Sequence, residues 1–302
     1  MKRIGIAVAS VVLAMAGLAA LAAGPAAVRK QLEASMLVTG TIAVDNAGKV
    51  ISYAFDDKEK LPVGVVEMLD RRVPAWTFEP VIVDGKPASV RTYMSIRLVA
   101  KKLDKDNYAI SIRSASFGHP DGSSRAKRVQ EAIKAVQASN EQPKVCKNEG
   151  LTPPNYPDAG ALFGVQANVY LLVKASPDGQ VQDVIAEQVN MKVVTDERNM
   201  ERWRNLFADA AVKQARKWCV EPPADDTDAK YGFHVARVPV RFYLTREPPR
   251  YGEWEGYVPG PRQSNPWQAD SEGKGFSPDT LMPGRAYIAG TGLKLLSELS
   301  DS

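Results

Sequence analysis

Side chains that commonly carry catalysis or bind metals are scarce in this sequence of 302 residues. It contains two histidines, His119 and His234, and two cysteines, Cys146 and Cys219. No two of these four share the close spacing usual for zinc ligands, so a metal site built from them is the weaker hypothesis. The stronger hypothesis is a disulfide between the two cysteines, because disulfides form in oxidising compartments. On the chain-entropy model, such a bridge contributes about 4 kcal/mol to stability.

The sequence also offers few candidates for acid–base catalysis. The adjacent carboxylates at Asp56-Asp57 and at Asp225-Asp226 lie in stretches typical of solvated turns. The two histidines occur in contexts typical of surface or capping residues. The sequence contains no G-x-S-x-G, H-E-x-x-H or P-loop motif. We therefore expect a protein without enzymatic activity, cofactor or bound metal.

The first 23 residues have the pattern of an export signal. Lys2 and Arg3 precede an uncharged apolar run at residues 4–23, and Ala20-Leu21-Ala22 offers a cleavage site. The run is also just long enough to span a bilayer, so an uncleaved inner-membrane anchor stays open. In both cases the positive-inside rule places the rest of the chain in the periplasm.

The charge of the exported part gives no reason to expect a nucleic-acid partner. The sequence has 39 basic and 35 acidic residues, and two of the basic ones, Lys2 and Arg3, belong to the export segment. Nucleic-acid partners usually require a concentrated basic face. The densest basic stretch, at 125–134, has apolar residues at helical spacing, which favours a solvated helix face.

The most informative pattern is a phrase that occurs twice, AWTFEP at 75–80 and KWCVEP at 217–222. Each copy is preceded by two strand patterns joined at a turn, Asn46-Ala47-Gly48 in the first and Pro177-Asp178-Gly179 in the second. An amphipathic helix then leads into the Trp, and a further strand follows. The sequence therefore predicts the order strand, strand, helix, strand, in two copies.

The repeated residues themselves have a structural interpretation. A Trp in the last helical turn can bury its ring against the sheet, which contributes a few kcal/mol. Pro80 and Pro222 prevent each helix from continuing. We expect Trp76 and Trp218 to be core residues without a chemical role.

The second copy resembles the TonB C-terminal domain. The stretch PPNYPDAGALFGVQANVYLLVKASPDGQVQDV at 153–184 is similar to the start of that domain, with its Tyr-Pro, short helix and Asp-Gly turn. AAVKQARKWCVEP, followed by VPVRFYL, resembles its end. Residues 36–101 look like a degenerate first copy that lacks the Tyr-Pro and the short helix.

The resemblance implies an α+β fold of two small modules, each an antiparallel three-stranded sheet with a helix packed on one face. The chain is then organised into five parts: an export signal or membrane anchor at 1–23, a degenerate TonB-like module at 36–116, a helical linker at 117–150, a TonB-like module at 151–246, and a Pro/Gly-rich aromatic tail at 247–302. Because the tail is rich in aromatic residues, we expect it to pack partly on its own protein.

The resemblance also implies a peptide-binding site. In this family an extended peptide is added to the edge formed by the last strand. Carried over to this sequence, the edge comprises alternate residues of one strand: Ala236, Val238, Val240, Phe242 and Leu244. Pro239 supports an edge position because it cannot donate a ladder hydrogen bond. Edge prolines also prevent unwanted pairing, so both interpretations of Pro239 remain open.

The function expected from these features is non-enzymatic binding or scaffolding in the periplasm. The partner would be an envelope protein or peptide segment, including an outer-membrane receptor, and a homodimer through exposed sheet edges stays open. The alternative is an anchored energy transducer for receptor transport. Binding is favoured, because residues 4–23 lack the His of TonB's membrane helix and no long Pro-rich arm follows them.

Overall fold

The computed structural model describes residues 24–83, 85–104, 107–118, 150–220, 232–244, 250–268 and 272–299. The N-terminal 23 residues and most of the predicted helical linker lie outside these ranges. The described residues form a mixed α+β fold with antiparallel sheets and few helices. None of the helices in these ranges combines the length and apolar character needed to cross a bilayer.

The chain contributes four α-helices within the described ranges: α1 Pro25–Arg29, α2 Val63–Arg72, α3 Asp158–Leu162 and α4 Glu197–Ala215. The strands are β1 Glu33–Val44, β2 Val50–Phe55, β3 Val81–Val83, β4 Lys86–Ala88, β5 Val90–Lys102, β6 Tyr108–Phe117, β7 Ala167–Ala175, β8 Val181–Met191, β9 His234–Phe242, β10 Glu255–Tyr257 and β11 Tyr287–Ile288. Short 3-10 turns lie at Lys58–Lys60, Val73–Ala75 and Pro278–Thr280.

The first sheet has five strands built around β1. On one side, β1 pairs with β5 from Ala34 to Val44, and β6 pairs with the far side of β5. On its other side, β1 pairs with β2 and, nearer its start, with β10 from the tail. Helix α2 places Val65 and Leu69 in the core of this sheet.

The second sheet has four strands in the order β11, β9, β7, β8. The hairpin β7–β8 comes first in the chain, α4 follows, and β9 then returns to pair with β7. Met200, Phe207 and Ala211 of α4 are fully buried against one face of the sheet. In the first unit, the short hairpin of β3 and β4 follows α2, and β5 then pairs with β1 as β9 pairs with β7.

The helices begin where the sequence provides a start signal. Pro62 is the N-cap of α2, a position where the missing N–H of proline is not needed. Asp196 is the N-cap of α4, and its carboxylate accepts a hydrogen bond from the backbone N–H of Asn199 at 3.0 Å. This bond stabilises the charged carboxylate and so lowers the pKa of Asp196.

The two predicted turns are confirmed and join their sheets in the same way. Gly48 and Gly179 both have positive φ, at 79° and 85°. The residue after each glycine forms an antiparallel bridge with the residue after the repeated Trp, Lys49 with Thr77 and Gln180 with Cys219. The carbonyl of each glycine then accepts a backbone hydrogen bond, from Phe78 at 2.8 Å and from Val220 at 2.9 Å.

The predicted burial of both repeated tryptophans is also confirmed. Trp76 is 2% exposed and Trp218 is 4% exposed. Their polar edges differ, because the Trp218 indole N–H donates to the carbonyl oxygen of Thr152 at 2.7 Å. The Trp76 indole nitrogen is buried without a hydrogen-bond partner among the described residues.

The prediction of three-stranded sheets was wrong, because both sheets are larger. β6 extends the first sheet, and the tail adds β10 to the first and β11 to the second. The tail strands are two or three residues long, too short to show an alternating pattern of their own. They become strands by pairing with distant partners.

The tail also joins the two sheets. Tyr257 pairs with Glu33 of β1, while the next residue, Val258, exchanges two backbone hydrogen bonds with Met191 of β8. Farther along, Leu293, Leu295 and Leu299 enter the core of the first sheet. The tail therefore packs on its own protein, as its aromatic content indicated.

Candidate peptide-binding edge

The side chains predicted to mark the binding edge lie mainly in the core. Ala236, Val238, Val240 and Phe242 of β9 belong to the buried cluster beneath α4. Leu244 lies beyond the end of the strand and is 42% exposed. A ligand approaching the strand from the side would therefore meet its backbone.

The sequence predicts that this edge is free, but in the structure it is paired with the tail. Within β11, Tyr287 lies opposite Arg237 and Ile288 lies opposite Ala236. The backbone N–H of Ala289 donates to the Val235 carbonyl at 2.8 Å. The place of an added strand is filled by the chain itself.

Pro239 determines where this pairing stops. The carbonyls of Val235 and Pro239 accept from tail residues, so alternate residues 235, 237 and 239 direct their backbone groups outward. The missing N–H of Pro239 thus faces the edge, and the ladder with β7 loses nothing. On the outer side only its carbonyl is used, by the N–H of Gly284 at 3.2 Å.

The tail segment contributes side chains to both faces of the sheet. Ile288 is buried in the cluster beneath α4, and Ala286 packs against the same cluster. Ala289 contacts a small apolar group on the opposite face that includes Leu172 and Val235. The pattern Ala-Tyr-Ile-Ala therefore matches the alternation of an edge strand.

Glycines with positive φ border this segment. Gly284 and Gly290 have φ of 74° and 77°, and Gly292 has φ of 100°. We call residues 284–290 the edge segment. The tail is held on both sides of the edge segment. Before it lies the 3-10 turn at Pro278–Thr280. After it, the N–H of Leu293 donates to the Phe117 carbonyl at 2.8 Å.

Buried charges hold the tail against the outer face of the second sheet. Glu187 of β8 is fully buried and receives hydrogen bonds at 2.8 Å from Arg237 and from Arg262. Arg237 also pairs with Glu272, which accepts the backbone N–H of Gly290 at 2.8 Å. The edge segment is therefore tied to β9 through side chains as well as backbone.

A second buried polar group lies where the 3-10 turn of the tail meets both sheets. The Asp279 carboxylate accepts from Ser114 at 3.2 Å and from Tyr257 at 3.1 Å, while its carbonyl accepts from the Arg97 guanidinium. Burial raises the pKa of Tyr257, and it raises the pKa of nearby Tyr170 to about 12.

Among the described residues, the cysteine and histidine that the sequence singled out, Cys219 and His234, have structural contacts. Cys219 is disulfide-bonded, and its predicted partner Cys146 lies outside the described residues, as does His119. Buried His234 places Nε2 3.2 Å from the Val220 carbonyl. The described part of the chain contains no group of three or more His, Cys, Asp or Glu side chains that could hold a metal ion.

The neighbouring carboxylates at 56 and 57 have separate structural contacts. Asp56 accepts from the Thr39 hydroxyl at 2.7 Å, and Asp57 pairs with Lys60 at 2.7 Å. The other pair, at 225 and 226, lies outside the described ranges. Contacts of this kind are those of structural carboxylates rather than of an acid–base pair.

Compared with known proteins, the chain matches no family model, no curated protein and no solved structure. The resemblance to the TonB C-terminal domain stays a prediction from the sequence.

Proposed function

We propose that this chain is an exported, non-enzymatic binding or scaffolding protein built from two TonB C-terminal-like units. Its work would be done in the periplasm, through contact with an extended segment of an envelope protein such as an outer-membrane receptor. The second unit, with β9 as its last strand, would carry the binding edge.

The observation that carries this proposal is the shared register of the two units. In each, the residue after the turn glycine bridges the residue after the repeated Trp, and the glycine carbonyl accepts from the next residue along. In each, one strand after the helix, β5 or β9, also pairs antiparallel with the first strand of the hairpin. A common register at equivalent positions supports a duplicated unit better than the sequence phrase alone.

The surface of β9 supports strand addition rather than a cleft for small molecules. Its outward backbone groups at 235, 237 and 239 form an edge, and this edge already accepts an extended segment. Recognition of this kind obtains its affinity from main-chain hydrogen bonds and its specificity from alternate side chains.

The test is an NMR titration of the labelled chain with a panel of extended segments from outer-membrane receptors of the same envelope. The proposal predicts concentration-dependent shifts at Val235–Leu244 for at least one segment, and no shifts there for scrambled versions. Absence of shifts in β9 across the panel, or shifts confined to other elements, would contradict it.

A further inference from the structure

We propose that the edge segment, residues 284–290, is an internal ligand of β9, and that an external partner binds by replacing it. This inference rests on the proposed function for the identity of the site. It adds the chemistry of the partner: an extended stretch with an aliphatic residue between small or aromatic ones.

The first support is the shortness of the strand ladder that holds the edge segment on β9. Its regular pairing with β9 covers two residues, Tyr287 and Ile288. Gly284 and Gly290 border it with backbone conformations that other residues rarely adopt, so the chain can change direction at both ends. A short ladder between two such glycines can open without moving the rest of the tail.

The second support is that the tail stays attached when the segment leaves. Asp279 is held by Ser114, Tyr257 and Arg97 before the segment. After it, Leu295 bridges Phe78 in the core of the first sheet. The hydrogen bonds of Asp279 and the bridge of Leu295 are made to residues of the first sheet and its core, so replacement requires local opening only.

The third support is the shape of the site on β9 that Ile288 occupies. Ile288 lies directly opposite Ala236, and both side chains belong to the core cluster beneath α4. Removing Ile288 leaves an apolar gap between small residues, which an aliphatic side chain of a partner would fill. Because Pro239 has no N–H to donate, a partner strand cannot extend its hydrogen bonding there. Pro239 therefore restricts the register in which a partner pairs with β9.

A tethered segment also determines how binding is regulated. Because it is linked to the chain, the edge segment competes at a high effective concentration. A partner of equal chemistry therefore binds the intact chain weakly, because its apparent affinity is its intrinsic affinity multiplied by the fraction of chains with an open edge. Partners must exceed the internal ligand in length or contacts.

The experiment uses the full chain and a fluorescein-labelled peptide of its own residues 282–292, followed by fluorescence anisotropy. Ile288→Asp removes the aliphatic contact, and Ala289→Pro removes the N–H that donates to the Val235 carbonyl. Ile288→Val keeps both features and is the matched control. A peptide carrying the same Ile288→Asp change is the control ligand.

We expect Ile288→Asp and Ala289→Pro to bind the peptide at least about tenfold more tightly than the wild type and Ile288→Val do. None of the four proteins should bind the control peptide that carries Ile288→Asp. Equal affinity in all four proteins, or no binding to folded opened variants, contradicts the inference. Unfolding of both opened variants, seen by circular dichroism, also contradicts it, because the segment would then be an inseparable part of the fold.

Together with the envelope panel, this experiment separates a failure of the proposed function from a failure of the internal-ligand inference. If the envelope panel fails while the tail peptide binds, the proposed function fails and the internal ligand stands. If an envelope segment binds β9 equally well in the wild type and in Ala289→Pro, the function stands and the internal ligand is rejected.

Discussion

At the scale of single residues, Trp76 and Trp218 occupy equivalent places but have different polar contacts. Their burial could be predicted because a repeated Trp after an amphipathic helix has few other uses. The predicted place in the last helical turn was wrong, since α2 ends at Arg72 and α4 at Ala215. The contact of Trp218 with Thr152 could not, because Thr152 lies 66 residues earlier in the chain and belongs to no motif. Sequence patterns give the burial of a side chain more readily than its partner.

This difference predicts unequal effects of the same substitution. Trp218→Phe removes a hydrogen bond and ring volume, whereas Trp76→Phe removes ring volume and a buried donor that has no partner among the described residues. Trp218→Phe should lower the free energy of unfolding by about 1 kcal/mol more than Trp76→Phe does. Urea unfolding of the two variants measures this difference in the free energy of unfolding. An equal or reversed order contradicts the hydrogen bond assigned to Trp218.

The buried tyrosines predict a loss of stability at alkaline pH. Burial raises the pKa of Tyr170 to about 12 and also raises that of Tyr257, whereas unfolded tyrosines ionise near about 10. Folding therefore favours the neutral phenols, and this contribution is complete below about pH 10 and is lost as pH rises toward the folded pKa values.

Tyrosinate absorbance, followed during an alkaline titration, should show these groups ionising together with unfolding. The same titration in denaturant gives the reference near pH 10 and serves as the control. Ionisation of all tyrosines near pH 10 in a chain that remains folded would contradict the burial of Tyr170 and Tyr257.

At the scale of elements, the two predicted hairpins and the helix after each, α2 and α4, are confirmed, because each is specified by neighbouring residues. Turn glycines, the proline at the start of α2 and the aspartate at the start of α4 are local signals. β11 has no comparable signal, since Ala-Tyr-Ile-Ala between glycines is too short to distinguish from a loop. Its strand character comes from β9, which lies about 50 residues away in the sequence.

The first turn gives a test of how the sheet is joined to the Trp segment. Gly48→Ala would bring a Cβ within 1.9 Å of the Phe78 carbonyl oxygen, at a φ of +79°. Gly85→Ala is the matched control, because Gly85 has a similar φ of +74° and no heavy atom within 4 Å. The control should cost about 1 kcal/mol of stability, from conformation alone.

Gly48→Ala should cost more than the control by at least about 2 kcal/mol, because the bridge to Thr77 and the bond from Phe78 must shift. Thermal unfolding of both variants measures the difference. Equal losses would show that the turn and the Trp segment are not in contact.

At the scale of the whole molecule, buried charges hold the tail against the second sheet. Glu187 faces both Arg237 and Arg262 and is 0% exposed. Removing one partner of a buried ionic group leaves the others without compensation, which is far more costly than losing the pair from a surface.

Glu187→Gln should therefore lower the free energy of unfolding by about 3 kcal/mol. Glu298→Gln is the matched control, since Glu298 pairs with Lys274 at 2.9 Å in an exposed position and its loss should change stability by less than about 1 kcal/mol. Chemical denaturation of both variants measures this. A Glu187→Gln protein as stable as its control would contradict a tail held by this network.

The central claim is that the outer side of β9 is an edge occupied by an exchangeable segment, and amide hydrogen exchange tests it most directly. The backbone of Arg237 faces β11, whereas those of Ala236 and Val238 face β7. The account predicts that the Arg237 amide is protected, yet exchanges at least about tenfold faster than its two neighbours, because a local opening exposes it. Equal protection of all three amides, or no protection of Arg237 at all, would contradict the claim.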